Sequence, residues 1–316
     1  MNGSLVFLFP GQGSQSRGML AEFLAAEAVV ADTFAEASEA LGYDMRALVL
    51  EDADGKLDAT EYTQPALLTA STALLRLWRA RGGVEAGHLA GHSLGEYSAL
   101  VAAGAIDFAD AVKLVSFRGK AMSEAVPAGV GRMAAILGLD DGAVIDLCAA
   151  ASSESEKVWA ANFNCPGQLV VAGHAAAVDR LMESAKAAGA KRALPLAVSA
   201  PSHTPLMQPA AERMRARLAE IAVRNADRPV WSNALAEPLT DAAAIREALV
   251  NQLVSPVRWT ESVQKLAAGG IAAGVEMGPG KVLAGLVKRV AKDCEVAATA
   301  APDQMQAALA AAGGMQ

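Results

Sequence analysis

Leu89-Ala90-Gly91-His92-Ser93-Leu94-Gly95-Glu96-Tyr97-Ser98-Ala99-Leu100 reads as a strand, a sharp turn and a helix. A short apolar segment runs into Gly91. From 94 to 103 the spacing is helical, and Gly104 stops it. Between them Gly91-His92-Ser93-Leu94-Gly95 has the form G-x-S-x-G. A serine so placed sits at the tip of a sharp strand-to-helix turn at the edge of a sheet, and the flanking glycines let strand and helix approach each other. The helix N-terminus then aims free N–H groups and the positive end of its dipole at the hydroxyl. An ordinary turn with a serine N-cap uses the same residues, so the motif nominates Ser93 as a nucleophile without establishing it.

Working outward, 5–9 is a continuous apolar run closed by Pro10-Gly11-Gln12-Gly13, a buried strand leading into a glycine-rich loop. Helices are expected around 18–48, at 64–80 with Gln64-Pro65 opening the run, and at 107–125. The middle of the chain reads as strand 133–139, helix 141–151, strands 158–162 and 169–172, helix 175–188 and strand 192–198. That β-α-β-β-α-β order is ferredoxin-like. After Pro205 helices and short strands return, with strands at 230–233 and 272–277, and an Ala/Gly-rich tail from about 303 expected to fray. The fold class is therefore α/β: a mainly parallel sheet flanked by helices, with an inserted ferredoxin-like α+β subdomain. The expected division is 1–127 with 200–316 as the large part and 128–199 as the small one.

The 316 residues are enough for a sizeable core, and the composition, 53% hydrophobic with 4% aromatic, suits Ala, Val and Leu packed closely between helices and sheet. The net charge of −7 comes with no basic run, which argues against nucleic-acid binding. Cys148, Cys165 and Cys294 are scattered and odd in number, as expected of reduced thiols in the cytoplasm. The N-terminus lacks a basic n-region, and no apolar stretch reaches the roughly 18–20 residues that span a bilayer. A soluble protein with no membrane partner is expected.

A serine nucleophile needs a base, usually histidine. His88, His92, His174 and His203 are the candidates. His92 adjoins the serine and His88 lies upstream on the same strand; both read as structural. His174 ends a strand of the small part. His203, in Ala200-Pro201-Ser202-His203-Thr204-Pro205, is favoured, because two prolines stiffen the backbone around it. In the helix 107–125, Lys113, Lys120 and Glu124 share a polar face, while Arg118 lies on the stripe of Ala111, Val115 and Met122. A guanidinium aimed at apolar surroundings needs an internal carboxylate or an anionic ligand. No metal-ligand cluster is present, and Gly278-Pro279-Gly280-Lys281 lacks the P-loop spacing, so no metal or other cofactor is expected.

Taken in order, Phe9-Pro10-Gly11-Gln12-Gly13-Ser14-Gln15, Thr63-Gln64-Pro65-Ala66-Leu67, the serine motif, Arg118-Gly119-Lys120-Ala121-Met122, Asn162-Phe163-Asn164-Cys165-Pro166-Gly167-Gln168, Pro201-Ser202-His203 and Gly278-Pro279-Gly280-Lys281 span almost the whole chain. In these segments it resembles the stand-alone malonyl-CoA:acyl carrier protein transacylases of bacterial fatty-acid synthesis. The resemblance implies a hydrolase-like large part with the ferredoxin-like part covering the cleft, Ser93 as the acylated nucleophile and His203 as its base. It further implies the main-chain N–H groups of Gln12 and Leu94 as the oxyanion hole, Arg118 on the malonyl carboxylate, Gln64, Met122 and His92 against the substrate, and the Gln252 carbonyl orienting His203. The implied partners are malonyl-CoA and acyl carrier protein. Ser202 stands where many malonyl-selecting relatives carry Phe, although serine also occurs there in the bacterial stand-alone group. An acidic carrier protein calls for a basic patch, for which Lys191-Arg192 and Lys281 with Lys288-Arg289 are candidates. The competing readings are a polyketide-type acyltransferase with another acyl preference, a serine esterase or thioesterase using Asp107, Asp146 or Asp179, and a non-catalytic docking module.

Overall fold

The computed structural model describes residues 2–198 and 200–314. Ten strands occur among them: β1 (Asn2–Phe9), β2 (Ala86–Gly91), β3 (Gly131–Leu137), β4 (Val158–Cys165), β5 (Gln168–His174), β6 (Arg192–Pro195), β7 (Val230–Trp231), β8 (Pro238–Leu239), β9 (Ala273–Glu276) and β10 (Glu295–Ala298). They form two sheets. The larger runs β10-β9-β1-β2-β7-β8 and is parallel except for the last pair. The smaller, β4-β5-β3-β6, is antiparallel throughout. With helices Asp141–Ala151 and Ala175–Ala187 it completes the β-α-β-β-α-β unit in ferredoxin-like strand order. The boundary expected at 199 falls on Ser199, which lies outside the described residues, as do Met1, Met315 and Gln316. Among the described residues no helix is long and apolar enough to cross a membrane.

The central position of β1, between β9 and β2, accounts for its unbroken apolar run. Leu5, Phe7 and Phe9 join a core with helices Thr60–Ala80 and Phe108–Ser123. Val6 and Leu8 join a second core with helices Trp259–Ala268 and Val282–Val290. Helices Thr60–Ala80 and Phe108–Ser123 cross at Gly119, where a Cβ would come within 2.5 Å of the Thr60 carbonyl oxygen. That contact brings the helix carrying Arg118 against the one carrying Gln64.

Three expectations differ in detail. Helix Thr60–Ala80 begins a full turn before Gln64, so Pro65 sits inside it rather than opening it. The early start is held by the Thr63 hydroxyl, which donates to the carbonyls of Leu57 and Ala59. The segment around 18–48 divides into helices Ala21–Ala26, Ala28–Leu41 and Met45–Leu50. Gly42 turns left-handed after the second, and the Asp44 side chain caps the third. Among the described residues the tail is ordered: Pro302–Gly313 is a helix that buries Met305, Ala308 and Ala312. Alanine at helical spacing is a strong helix former, which low complexity conceals.

In β1 and β2, Phe9 is paired with Gly91, so the strands end level and Ser93 stands just beyond the carboxyl edge of the sheet. Helix Gly95–Ala102 starts at once. A Cβ on Gly91 would lie 1.9 Å from the Gly95 carbonyl carbon, and one on Gly95 would lie 1.9 Å from the Phe9 carbonyl oxygen. Both obstacles are main chain and have nowhere to go. Overpacking at a core position costs about 1–3 kcal/mol; Gly95→Ala is expected to reach at least the top of that range in chemical denaturation and to leave Ser93 unreactive toward acyl-CoA. A variant as stable and reactive as the parent would contradict the close packing described.

Candidate active site

Ser93 lies at the turn with φ 51°, a left-handed value for a residue with a side chain. Its Oγ is 2.8 Å from His203 Nε2. His203 also has positive φ, 62°, and follows Pro201 outside regular structure. His203 Nδ1 is 2.8 Å from the Gln252 carbonyl oxygen. A carbonyl only accepts, so Nδ1 carries the proton and Nε2 offers its lone pair to the serine hydroxyl. The arrangement can deprotonate Ser93.

Gln252 belongs to the last turn of helix Ala242–Val254, which ends before Ser255-Pro256. The last four carbonyls of a helix have no intrahelical donor, and the helix C-terminus carries partial negative charge. A free carbonyl there can therefore orient the imidazole and stabilise its protonated form, the task an acid performs in hydrolases. The hydrolase acids nominated from the sequence are elsewhere. Asp107 pairs with Arg224, Asp179 pairs with Arg132, and Asp146 is exposed. None of them takes His203 Nδ1, so the triad order that supported an esterase is not assembled.

Arg118 is 1% exposed and, among the described residues, has no carboxylate partner. Nη1 donates to Gln64 Oε1 at 2.8 Å; Nη2 donates to Gln252 Oε1 at 2.8 Å and to Ser93 Oγ at 3.3 Å. All three acceptors are neutral, and Nε–H finds none among the described residues. Its charge is therefore carried into the site rather than cancelled. Gln64 is held in turn by a 3.6 Å contact from its Nε2 to Met122 Sδ.

These groups border one cavity of about 460 Å³ between the two sheets. Gln12, Gln64, His92, Ser93, Leu94, Arg118, Met122, Ser202 and His203 come from the large part; Met133, Ala135, Asn162, Asn164, Gln168 and Val170 come from the small sheet. Neither the Gln12 nor the Leu94 main-chain N–H donates a hydrogen bond among the described residues, so both remain available to an oxyanion. His92 turns away from Ser93; its Nε2 is 2.8 Å from Asn164 Oδ1 and its ring packs on Trp259. His88 receives the Trp231 indole N–H, and His174 Nδ1 accepts the Lys157 N–H, so neither reaches the serine.

Two residues without a role in the sequence reading complete the network. Glu96, 3% exposed, accepts Gln252 Nε2–H at 2.7 Å and the Asn233 N–H at 3.0 Å through Oε2. Asn233 bonds the serine turn itself. An acid inside the otherwise uncharged stretch 94–106 was a readable sign that Glu96 would need buried partners. Asn233 had no such sign, because its contact with Ser93 spans 140 positions. Arg289, a candidate for the basic patch, instead ties the large part to the small sheet: Nη1 donates to Gln168 Oε1 and Nη2 to the Pro166 carbonyl, both at 2.8 Å.

The acyl transferase domain model matches residues 6–315. The chain belongs to this family. It is 55% identical over 303 residues to the malonyl CoA-acyl carrier protein transacylase of Salmonella typhimurium, covering 96% of this chain and 98% of that protein. The crystal structure of the malonyl-CoA:acyl carrier protein transacylase from Xanthomonas oryzae superimposes with a TM-score of 0.96 at 49% identity, over 98% of this chain and 99% of the other. A type II polyketide-synthase acyl carrier protein in complex with its malonyl-transacylase contains a chain similar at TM-score 0.95 and 48% identity, over 98% of this chain and 100% of that one. The two solved structures share this chain's fold over nearly its whole length.

Burial sets the protonation states. It pushes His203 down to about 3 from 6.5, helped by the Arg118 charge and opposed by the hydrogen bond to Gln252. It pushes Glu96 up to about 7 from 4.5, against the Asn233 and Gln252 hydrogen bonds and the Arg118 charge. Burial also lowers Arg118 from its ordinary value, while Tyr97 and Glu96 oppose the shift. The base of the free protein thus stays neutral across the ordinary range. The pH profile of kcat/KM, which reports free-enzyme groups, should lack the roughly tenfold loss per unit that a histidine at 6.5 imposes below that pH. Glu96 titrates in the same window, so the measurement is paired with Glu96→Gln. A slope of one setting in near 6.5 in both proteins would contradict a depressed His203.

Proposed function

We propose that this acyl transferase moves malonyl from malonyl-CoA to the phosphopantetheine thiol of acyl carrier protein through an ester on Ser93. The observation that carries the reading is Arg118: a buried guanidinium without a carboxylate, 3.3 Å from the nucleophile's oxygen. A dicarboxylic acyl group supplies the missing anion, and arginine holds a carboxylate with two parallel hydrogen bonds. The malonyl transacylases similar to this chain over nearly its whole length support the same substrate pair.

In the first half-reaction His203 Nε2 takes the Ser93 proton as Oγ attacks the thioester carbonyl. The tetrahedral oxyanion receives the N–H groups of Gln12 and Leu94, each donor supplying about 2.7–4 kcal/mol of barrier lowering in comparable sites. The C–S bond breaks, and the CoA sulfur leaves with the proton from His203. The carrier-protein thiol then attacks the Ser93 ester, giving its proton to His203, and the serine oxygen is expelled and reprotonated. This is a ping-pong scheme. Through these steps Gln252 keeps the imidazole in one tautomer, while Gln64 and Met122 wall the malonyl end.

The residues 1–127 and 200–316 form the proposed catalytic part, with 128–199 as the cover. Lys191, Arg192, Lys281 and Lys288 are exposed and are the proposed contacts for an acidic carrier protein. The proposed compartment is the cytoplasm, in keeping with three free cysteines.

Intact-mass measurement after mixing with malonyl-CoA should show one added malonyl group in the parent protein and none in Ser93→Ala. An adduct retained by Ser93→Ala would remove the serine from its role. Arg118→Ala forfeits two charge-assisted hydrogen bonds of about 1.5–3 kcal/mol each, so kcat/KM for malonyl-CoA should fall by roughly 10²- to 10⁴-fold, and much less for acetyl-CoA. An unchanged malonyl-to-acetyl ratio would discard the carboxylate contact.

A further inference from the structure

Ser93 is held in a left-handed backbone conformation that strains a residue with a side chain, so the surroundings must enforce it. The enforcement is visible. Asn233 Oδ1 accepts the Ser93 N–H at 2.6 Å, and Asn233 Nδ2 donates to the Gly91 carbonyl at 2.7 Å. One side chain thus spans the turn from the residue two before the nucleophile to the nucleophile itself. Asn233 is only 2% exposed and lies two residues past the end of β7, whose residues Val230 and Trp231 pair with Leu89 and Ala90 of β2. Its own main chain is fastened at both ends: the N–H donates to Glu96 Oε2 at 3.0 Å, and the carbonyl accepts the Arg258 N–H at 3.0 Å. The same Glu96 oxygen accepts Gln252 Nε2–H, and Gln252 bonds Arg118, His203 and the Ser93 carbonyl.

We infer that Asn233 is a positioning residue for the transfer reaction: its amide staples the Gly91–Ser93 turn and keeps Ser93 Oγ aimed at His203 Nε2. The inference rests on the reading of Ser93 as the acylated nucleophile. Asn233 does not border the cavity and takes no part in bond making. The chemistry required is specific: one acceptor for the Ser93 N–H and one donor for the Gly91 carbonyl, on a short planar group. Only an amide or a protonated carboxyl meets it. A carboxylate keeps the acceptor but turns a second negative oxygen toward the Gly91 carbonyl. An alanine leaves both main-chain groups without a partner.

The staple makes Oγ placement independent of the acyl group. Displacement of a reacting atom by about 1 Å can cost roughly 10²-fold. Single-turnover acylation of the full chain with malonyl-CoA and with acetyl-CoA, on Asn233→Ala and Asn233→Asp, reads the consequence. Asn233→Ala should slow both acyl donors by the same factor, about 10²-fold, with the malonyl-to-acetyl ratio unchanged because Arg118 is untouched. Asn233→Asp should be slow at pH 8 and recover toward the parent by about tenfold at pH 5.5, as protonation restores a donor facing Gly91. The groups facing position 233 are Glu96 at its N–H, Arg118 behind Gln252, His203 and His92 across the serine turn, and Arg258 beyond its carbonyl. Dividing by the parent rate at each pH removes their own titration. Hydrogen exchange of the parent protein gives a third reading that needs no variant, because the Ser93 amide should be strongly protected. Parent-like acylation in Asn233→Ala, a flat variant-to-parent ratio in Asn233→Asp, or a Ser93 amide that exchanges like a solvent-exposed one would each overturn the inference. If the parent is not acylated at Ser93, the transfer reading fails instead, while the Ser93 amide still tests the staple.

Discussion

A full positive charge buried without a carboxylate is the constraint on which the site depends. Desolvating Arg118 is expensive, and a buried cation is normally paired or hydrogen-bonded to make up the cost. Here the compensation is deliberately partial. Two glutamine carbonyls and a serine oxygen solvate the guanidinium, and the nearest acid, Glu96, reaches it only through the Gln252 amide. A direct carboxylate partner would occupy the fork that the substrate needs. An amide interposed between acid and arginine holds the charge in place and leaves it unsatisfied.

Burial sets the state of the base, and the same charge reinforces it. Arg118 and burial together keep His203 neutral, which is the form that can accept a proton. Protonation during the reaction is supported from the other side by the Gln252 carbonyl at a helix C-terminus. Replacing an acid by a helix carbonyl avoids placing a second negative group beside a substrate carboxylate. Gln252 is thus the hub: its carbonyl orients the base, its side-chain oxygen holds the arginine, and its amide nitrogen is anchored by Glu96 and the Ser93 carbonyl.

What the sequence revealed follows from how local each signal is. The serine turn was legible because its steric requirement, glycine two before and two after, lies within five residues. Arg118 was legible because helical periodicity alone puts it on the apolar face. The ferredoxin-like order was legible because four strands and two helices follow one another without interruption. The Gln252 carbonyl came only from family resemblance, since a main-chain acceptor leaves no trace in residue identity. Glu96 and Asn233 went unassigned for the related reason that their partners are distant in the chain. Pro65 misled because a proline usually marks a helix start, whereas here the helix begins a turn earlier, at Thr60, where the Thr63 hydroxyl ties it to the Leu57 and Ala59 carbonyls. The alanine-rich tail misled because its burial is visible only once β10 is placed beside it.

The most direct test of the central claim is a crystal structure of the protein acylated by malonyl-CoA in the absence of any thiol acceptor. The expected density is an ester on Ser93 Oγ whose free carboxylate receives two hydrogen bonds from Arg118, with the ester carbonyl oxygen facing the Gln12 and Leu94 N–H groups. An acyl chain whose carboxylate points away from Arg118, or an acyl group attached anywhere other than Ser93, would contradict it.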